Sequence, residues 1–572
     1  MKDIKKSYEL WCQKAIEDND VIKELQEIKN NFLEIEDRFY KDIEFGTGGL
    51  RGVIGAGTNR INIYTVRKIS QGLANYLNNN YKNPSIAIAF DSRIKSDEFA
   101  KTAACVFAAN KIKVYIFKDL MPTPALSFAI RDLGCSAGVV VTASHNPAKY
   151  NGYKVYGDDG CQITLDMANK VFLEIQKIDI FNNVIYNSFE TEIQKNNINY
   201  ISDKTIKNYL DAVSSQAINK QMSGKENLKI VYTPLNGAGL FCVTNILKSN
   251  GFLDLTVVPE QEKPDGNFPT CPYPNPEIKE ALEVGINLSK KINADLLIAT
   301  DPDCDRVGIA VLNNKNYQLL NGNQVGILLF DYICNNKIKN NTMPKNPVAI
   351  KTIVTTQMLY PIAKNYDVEV IDVLTGFKFI GEQIGYLEQK SEQDRYILGF
   401  EESYGYLTGP YVRDKDGVNA SLLICEMAAY YKNQNKNLFE VLEELYKKYG
   451  YYETYLDSFE FAGSAGFEKM QKIMTDFINN PPKEIINKKI IEFFDYNKSV
   501  KINSNGSVEK INLPKSNVIK FLLEGNNGVV IRPSGTEPKL KIYYSAQGLN
   551  QKDAQNIIAE LRNYFSKTLN SQ

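Results

Sequence analysis

The chain has 572 residues, more than one hydrophobic core can organise, so roughly three or four domains are expected. Its 67 basic and 67 acidic residues cancel, which argues against a nucleic-acid partner, and 43% hydrophobic with 23% charged residues is an ordinary globular composition. A single histidine, His145, excludes every multi-histidine metal site and leaves one imidazole for acid–base chemistry. The nine cysteines are scattered without a C-x-x-C pair, so zinc and dithiol redox chemistry lack their usual signature. Buried thiols in a reducing cytoplasm are expected instead. The charged N-terminus does not resemble a signal peptide, and no run of 18 apolar residues predicts a membrane span.

Residues 1 to about 43 read as helical, with Leu10, Ile16, Ile22, Leu25 and Ile28 recurring among charges. Beyond Gly52, short apolar runs alternate with amphipathic stretches: SIAIAF (85–90), VYIF (114–117), AGVVVTAS (137–144), LKIVYTP (228–234), ADLLIAT (294–300), VAIKTIV (348–354), VEVIDVL (368–374) and YILGF (396–400). Runs apolar on both faces and separated by helices predict parallel sheets of βαβ units, hence an α/β protein. GVVIRP (528–533) and KLKIYYSA (539–546) lie in a last segment that mixes helix and strand, predicting a smaller C-terminal α+β domain. The boundaries expected are 1–43 for an N-terminal helical extension, then 44–200, 205–318, 319–452 and 455–572.

Four loops follow directly on apolar strands, where open α/β sheets bind ligands. In TDPDCDR (300–306), Asp301, Asp303 and Asp305 alternate, so an extended backbone puts three carboxylates on one side. They repel unless a cation intervenes, and all-oxygen ligands suit Mg²⁺. An EF-hand loop fails because the sixth position is Arg306, not Gly, and the twelfth is Leu312, not Glu. A solvated acidic turn is the bland alternative. Arg306 is suited to holding a phosphate beside the metal.

TASHNP (142–147) puts the Ser144 hydroxyl at a strand end beside His145, with Lys154 close by in NGYK (151–154). It lacks the G-x-S-x-G elbow and distant histidine of a hydrolase triad, though Asn-Pro alone also makes a turn. FGTGGLRG (45–52) fits neither nucleotide fingerprint; its glycines would let backbone approach an oxyanion, with Arg51 adding charge, or else form a hinge. RPSGTEPK (532–539) brings Arg532, Ser534, Gly535, Thr536 and Lys539 together, a donor set suited to phosphate, although Pro-Ser-Gly is also ordinary turn chemistry. GFEESYG (399–405) offers Glu401, Glu402 and Ser403 to sugar hydroxyls or simply to solvent, and TGFKFIGE (375–382) adds Gly376 and Lys378 after another strand.

Together FGTGGLRG, TASHNP with NGYK, DPDCDR, GFEESYG and RPSGTEPK resemble the α-D-phosphohexomutase superfamily, in that family's order and over nearly the whole chain. The length and the GFEESYG loop look like its phosphoglucomutase/phosphopentomutase branch. Phosphoglucosamine and phosphomannomutase relatives are shorter and carry Ser-Gly-His where this chain has Ser403, Tyr404 and Gly405. The resemblance implies four domains around a central cleft: three similar mixed-sheet α/β units and a C-terminal domain of another fold. It implies Ser144 as the phosphoserine, with Asp301, Asp303, Asp305 and the Ser144 phosphate holding Mg²⁺. Arg51, His145 and Lys154 would surround the reacting oxygen. Arg306, Gly376, Lys378, Glu401 and Ser403 would bind substrate, and Arg532, Ser534, Gly535, Thr536 and Lys539 its non-reacting phosphate.

The activity so implied moves phosphate between C1 and C6 of a glucose phosphate, with glucose 1,6-bisphosphate as intermediate and activator. The partner expected is a small phosphosugar, with no nucleic acid and no membrane, acting on a cytoplasmic monomer or homodimer. Ribose or deoxyribose 1-phosphate is the alternative substrate. A metallophosphatase or a non-catalytic sugar-phosphate-binding protein represent other classes.

Overall fold

The computed structural model of the chain describes residues 3–46, 48–461, 463–534 and 539–571. The N-terminal stretch expected to be helical forms three helices, Ile4–Lys14, Asn19–Glu27 and Phe32–Phe39. Asp3, Asp18 and Asn31 open them, each side chain accepting a backbone N–H that the helix itself leaves unpaired. Trp11 anchors this extension. It is 1% exposed, with Phe39, Tyr64 and Phe181 ring centroids 5.8, 5.5 and 5.5 Å away. Truncating a tryptophan so packed costs about 3–5 kcal/mol, enough to tie the extension to the first sheet domain.

That domain is built on six strands in the order Gly49–Val53, Tyr150–Gly157, Ala137–Val141, Ser85–Phe90, Lys113–Ile116 and Ile198–Tyr200. The last four of this order run parallel, as the doubly apolar sequences of the first three of them predicted; Ile198–Tyr200 was not expected, and Tyr150–Gly157 and Gly49–Val53 add two antiparallel strands on the other side. Those two strands were not among the expected runs, because their glycines and polar residues break the apolar pattern, although Tyr150–Gly157 is paired on both sides and largely buried. Gly152 must lack a side chain: a Cβ there would lie 2.4 Å from the Thr142 carbonyl oxygen and 2.9 Å from that of Leu50. The close approach sets NGYK directly against the TASHNP strand.

A second sheet orders Asn316–Leu320, Val307–Asn313, Leu296–Thr300, Ile230–Thr233 and Leu255–Val257, the last three parallel and the first two antiparallel. Val348–Thr352 and Glu369–Val373 pair in parallel further on. The C-terminal sheet is antiparallel, running Tyr451–Glu460, Lys539–Gly548, Asn527–Pro533, Ile519–Leu523, Lys488–Asp495, Val500–Asn503 and Val508–Lys510, with helices Gly463–Asn479 and Gln551–Ser571. Three mixed α/β units followed by an α+β domain is the architecture expected.

By compactness the chain falls into two units. The first holds residues 1–322, 380–399 and 403–437; the second holds 323–379, 400–402 and 438–572. Among the described residues no helix is long and apolar enough to cross a membrane.

Candidate active site

In the first unit, Ser144 follows the buried strand Ala137–Val141 and takes φ +52°, a left-handed conformation that costs a serine about 1–2 kcal/mol. The surroundings hold it there. Its N–H donates to Thr142 Oγ1 (2.8 Å), and Thr142 donates to Asp91 Oδ2 (2.5 Å). The Arg93 guanidinium donates to the carbonyls of Ser144 (2.5 Å), Pro147 (3.0 Å), Tyr150 (3.0 Å) and Asn146. Asp91 and Arg93 are themselves a fully buried ion pair, 3.5 Å apart, and Asp91 also accepts from the Arg93 N–H and from Ser96. One buried guanidinium therefore fastens four carbonyls of the loop that aims Ser144.

What Ser144 is aimed at is the acidic loop. Its Oγ donates to Asp301 Oδ2 at 2.8 Å and lies 3.1 Å from His145 Nδ1. Asp301, Asp303 and Asp305 sit at the end of Leu296–Thr300, each at most 1% exposed, with ligand oxygens all within 4.8 Å of one another. Asp301 Oδ1 accepts the N–H groups of Asp305 (3.1 Å) and Arg306 (3.0 Å), and this curls the loop. Asp303 accepts from Thr123 (2.9 Å) and Lys154 (2.7 Å), and Asp305 lies 2.9 Å from Lys415 and 3.4 Å from Lys154. Among the described residues, the second oxygens of Asp303 and Asp305 are buried without a hydrogen-bond partner.

Three carboxylates buried so close cannot all remain charged unaided. Burial, then repulsion from Asp303 and Asp305, pushes the Asp301 carboxyl well above the usual range. Burial works the same way on Asp303, but Lys154, the Asp301 hydrogen bond and Lys415 outweigh it and hold that carboxyl far below. Lys154, also buried, keeps a raised pKa because Asp303 and Asp305 face it. A divalent cation fits this set. It would occupy two buried oxygens that accept no hydrogen bond among the described residues, and an all-carboxylate donor set suits a hard ion.

Arg51 extends from Gly49–Val53, donates to Asn146 Oδ1 (3.0 Å) and pairs in register with Gly152. His145 is held neutral well below its ordinary pKa by burial first, then by the charges of Arg306 and Arg51. Arg306 forms an ion pair with Glu277. The carbonyl of Tyr404 accepts the Val307 N–H (3.0 Å), which sets the segment after Ser403 beside the acidic loop. The first unit thus gathers Arg51, Ser144, His145, Lys154, the three aspartates and Arg306, and it also carries Ser403.

Gly376, Lys378, Glu401, Arg532, Ser534 and Lys539 belong to the second unit. Gly376 has φ +116°, open to few residues but glycine, and precedes helix Phe377–Gln389, whose first turn carries Lys378. Glu401 ends strand Tyr396–Glu401 and is 5% exposed, while its neighbour Glu402 accepts from Thr352 (3.1 Å). Arg532 pairs in register with Lys541, and the Ser534 N–H donates to the Lys539 carbonyl (2.7 Å). Lys539 Nζ lies 3.1 Å from Glu460. Gly535 and Thr536 lie outside the described residues.

Sequence reasoning missed Asp91, Arg93, Thr123, Glu277 and Lys415. A signal existed for the first two, since Asp91-Ser92-Arg93 follows the apolar strand SIAIAF as the other loops follow theirs. Thr123 and Lys415 reach the acids from more than a hundred residues away, and no local pattern marks them.

A strand-end serine on a buried acidic cluster, flanked by cations, defines a phosphoryl-transfer enzyme, and comparison with known proteins gives its kind. Residues 42–180, 207–314 and 321–449 match phosphoglucomutase/phosphomannomutase alpha/beta/alpha domains I, II and III, and residues 497–563 match the C-terminal domain of the same proteins. Phosphoglucomutase of Staphylococcus aureus strain RF122 / ET3-1 is 38% identical over 559 residues, covering 96% of this chain and 98% of the relative. That of strain MRSA252 is 38% identical over 544 residues, 94% and 95% of the two chains. Among solved structures, the Paramecium phosphoprotein pp63/parafusin, a phosphoglucomutase, superposes with TM-score 0.68 at 19% identity over 91% of this chain and 94% of its own. A Burkholderia thailandensis phosphoglucomutase/phosphomannomutase family protein gives 0.63 at 18% identity, 92% and 97% covered. The chain belongs to the phosphoglucomutase/phosphomannomutase family and is a phosphosugar mutase, an isomerase that moves a phosphoryl group within its substrate.

Proposed function

We propose that the chain interconverts glucose 1-phosphate and glucose 6-phosphate, with Ser144 as the phosphoryl carrier and Mg²⁺ held by Asp301, Asp303, Asp305 and the Ser144 phosphate. The carrying observation is the 2.8 Å hydrogen bond from Ser144 Oγ to Asp301, which seats a strained, exactingly held hydroxyl on an acidic cluster. Near-full-length phosphoglucomutase relatives support the hexose, and the donor set supports a hard cation. The metal, when bound, would supply positive charge to phosphoryl oxygens as negative charge shifts in transfer.

The chain's own residues do the rest. Ser144 Oγ gives its phosphoryl group to the free hydroxyl of the bound sugar, whose proton passes to a basic group beside it. Glucose 1,6-bisphosphate results. It reorients and returns its other phosphoryl group to Ser144, leaving the isomer. Arg51, Lys154 and Arg306 lower the barrier by opposing the charge on the moving group, which is most of what phosphoryl transfer asks of a protein. His145, kept neutral, orients the Ser144 oxygen or takes its proton. Glu401 and Ser403 read sugar hydroxyls, with Gly376 and Lys378 on the adjoining loop. Arg532, Ser534, Gly535, Thr536 and Lys539 hold whichever phosphate is not reacting, so one donor-rich loop serves both orientations. Domains at 44–200, 205–318, 319–452 and 455–572 would each contribute one of these loops. A reducing cytoplasm suits eight buried cysteines.

The test follows glucose 1-phosphate and deoxyribose 1-phosphate side by side with Mg²⁺ and a trace of the corresponding bisphosphate. The hexose should give the larger kcat/KM. A larger value for the pentose would replace the substrate assignment and leave the carrier untouched.

A further inference from the structure

The second unit contains a cavity of about 650 Å³ that none of the proposed substrate- or phosphate-binding residues lines. Its walls come from segment 353–372 and residues 449 and 452 on one side, and from 492–496 and 511–526 of the C-terminal sheet domain on the other. Pockets of this size at domain seams are where small ligands bind.

Its charges are unevenly matched. Lys351, beneath it, is saturated: Asp372 lies 2.9 Å away, the Thr352 and Thr355 carbonyls accept its Nζ, and the Tyr360 ring is 5.0 Å distant. Asp372 in turn also accepts from the Tyr360 hydroxyl (2.8 Å). Glu492 has Lys501 at 3.2 Å. Every acid of the cavity therefore has its own cation. Lys520 has no such complement. It is 7% exposed, and among the described residues no carboxylate lies within 4.0 Å of its ammonium, whose recorded contact is the Phe494 ring at 5.2 Å. A buried ammonium without a direct ion pair is expensive: burial lowers its pKa, and the more distant charges of Asp372 and Glu492, each already paired with another lysine, offset this only in part. Aromatic faces surround it. Phe494 and Tyr496 stand nearly parallel (13°), with Tyr360 and Tyr449 also on the wall.

We propose that this cavity is a second ligand site, for an anion carrying a planar ring and about the size of a nucleoside monophosphate. The anionic group sits on Lys520 and the ring lies against Phe494, Tyr496 and Tyr360. Rings stack on aromatic side chains, and an anion supplies the contacting partner that the more distant Asp372 and Glu492 do not give Lys520.

Calorimetric titration of the full chain with AMP, GMP and UMP tests this, with adenosine and ribose 5-phosphate as the ring-only and anion-only arms. Saturating glucose 1-phosphate is added in parallel to block the catalytic site. At least one nucleotide should bind at a single site that glucose 1-phosphate does not displace, at least tenfold more tightly than either partial ligand. Lys520→Met should weaken it at least tenfold while leaving mutase turnover unchanged, and Tyr496→Leu should weaken it with Lys520 intact. No binding by all three nucleotides, full displacement by glucose 1-phosphate, or undiminished affinity in a folded Lys520→Met protein would each overturn the proposal. If Lys520→Met does not fold, the Tyr496→Leu affinity and the displacement result decide it.

Discussion

Replacing Arg93 by methionine removes the guanidinium that grips the Ser144 loop while keeping most of the buried volume. Two losses follow. Asp91, fully buried and 3.5 Å from Arg93, becomes a buried carboxylate without its cation, and losing one partner of such a pair costs about 3–5 kcal/mol. Four loop carbonyls lose their shared donor, which leaves the Ser144 backbone the Thr142 hydroxyl and its side chain the contacts with Asp301 and His145 to hold φ +52°. A domain of 150–250 residues loses roughly 2–4 °C of Tm per kcal/mol, so the melting transition of the first sheet domain should fall by about 6–20 °C. Activity should fall further than stability explains, because the serine relaxes toward ordinary backbone angles and leaves the acidic cluster. The assay is calorimetric melting together with kcat measured well below the lowered Tm. Asp91→Asn, which removes the charge but keeps much of the hydrogen bonding, should be milder in both. An Arg93→Met protein with the parent Tm and kcat would refute the claim that this ion pair positions the serine.

Other outcomes follow from the same geometry. Chelation should abolish activity and Mg²⁺ restore it; Asp303→Asn should raise the Mg²⁺ concentration for half-maximal activity about tenfold or more, and an unchanged requirement would remove that acid from the metal set. The only histidine gives a single imidazole resonance, which should titrate well below 6.5, since burial and then Arg306 and Arg51 oppose its charge. A pKa lowered by folding means the unfolded chain takes up the proton first. Stability from this group is therefore complete above about pH 6.5 and declines as pH falls toward the folded value; a midpoint at 6.5 would contradict the site's electrostatics. With a thiol reagent at pH 8 the native protein should expose Cys12 alone to rapid reaction, because it is the exposed cysteine and burial raises the thiols of the other eight.

The parallel strands were legible because burial on both faces writes a continuous apolar run, as in AGVVVTAS and ADLLIAT. Loops directly after those runs could then be placed at strand ends without any contact being known. The edge strand GLRGV and the buried strand NGYKVYG beside it escaped notice, since segments that mix glycines with polar residues look like loops until their partners are seen. The acidic loop was legible as a cluster because its three carboxylates are neighbours in sequence. Lys154 was legible among its partners, but Lys415 and the Thr123 hydroxyl were not, because Lys415 lies in an unremarkable DKD and Thr123 opens an apolar helix. Arg93 was overlooked for another reason. Its work is done on backbone carbonyls, which carry no residue-specific pattern at all.

Peptide mapping of the protein after incubation with glucose 1,6-bisphosphate and Mg²⁺ tests the central claim most directly. One phosphoryl group should appear on the peptide containing TASHNP, at Ser144, and Ser144→Ala should lose both that label and roughly three orders of magnitude or more of mutase activity. A label at another residue, or a folded Ser144→Ala protein with the parent kcat, would contradict the assignment of Ser144 as the phosphoryl carrier.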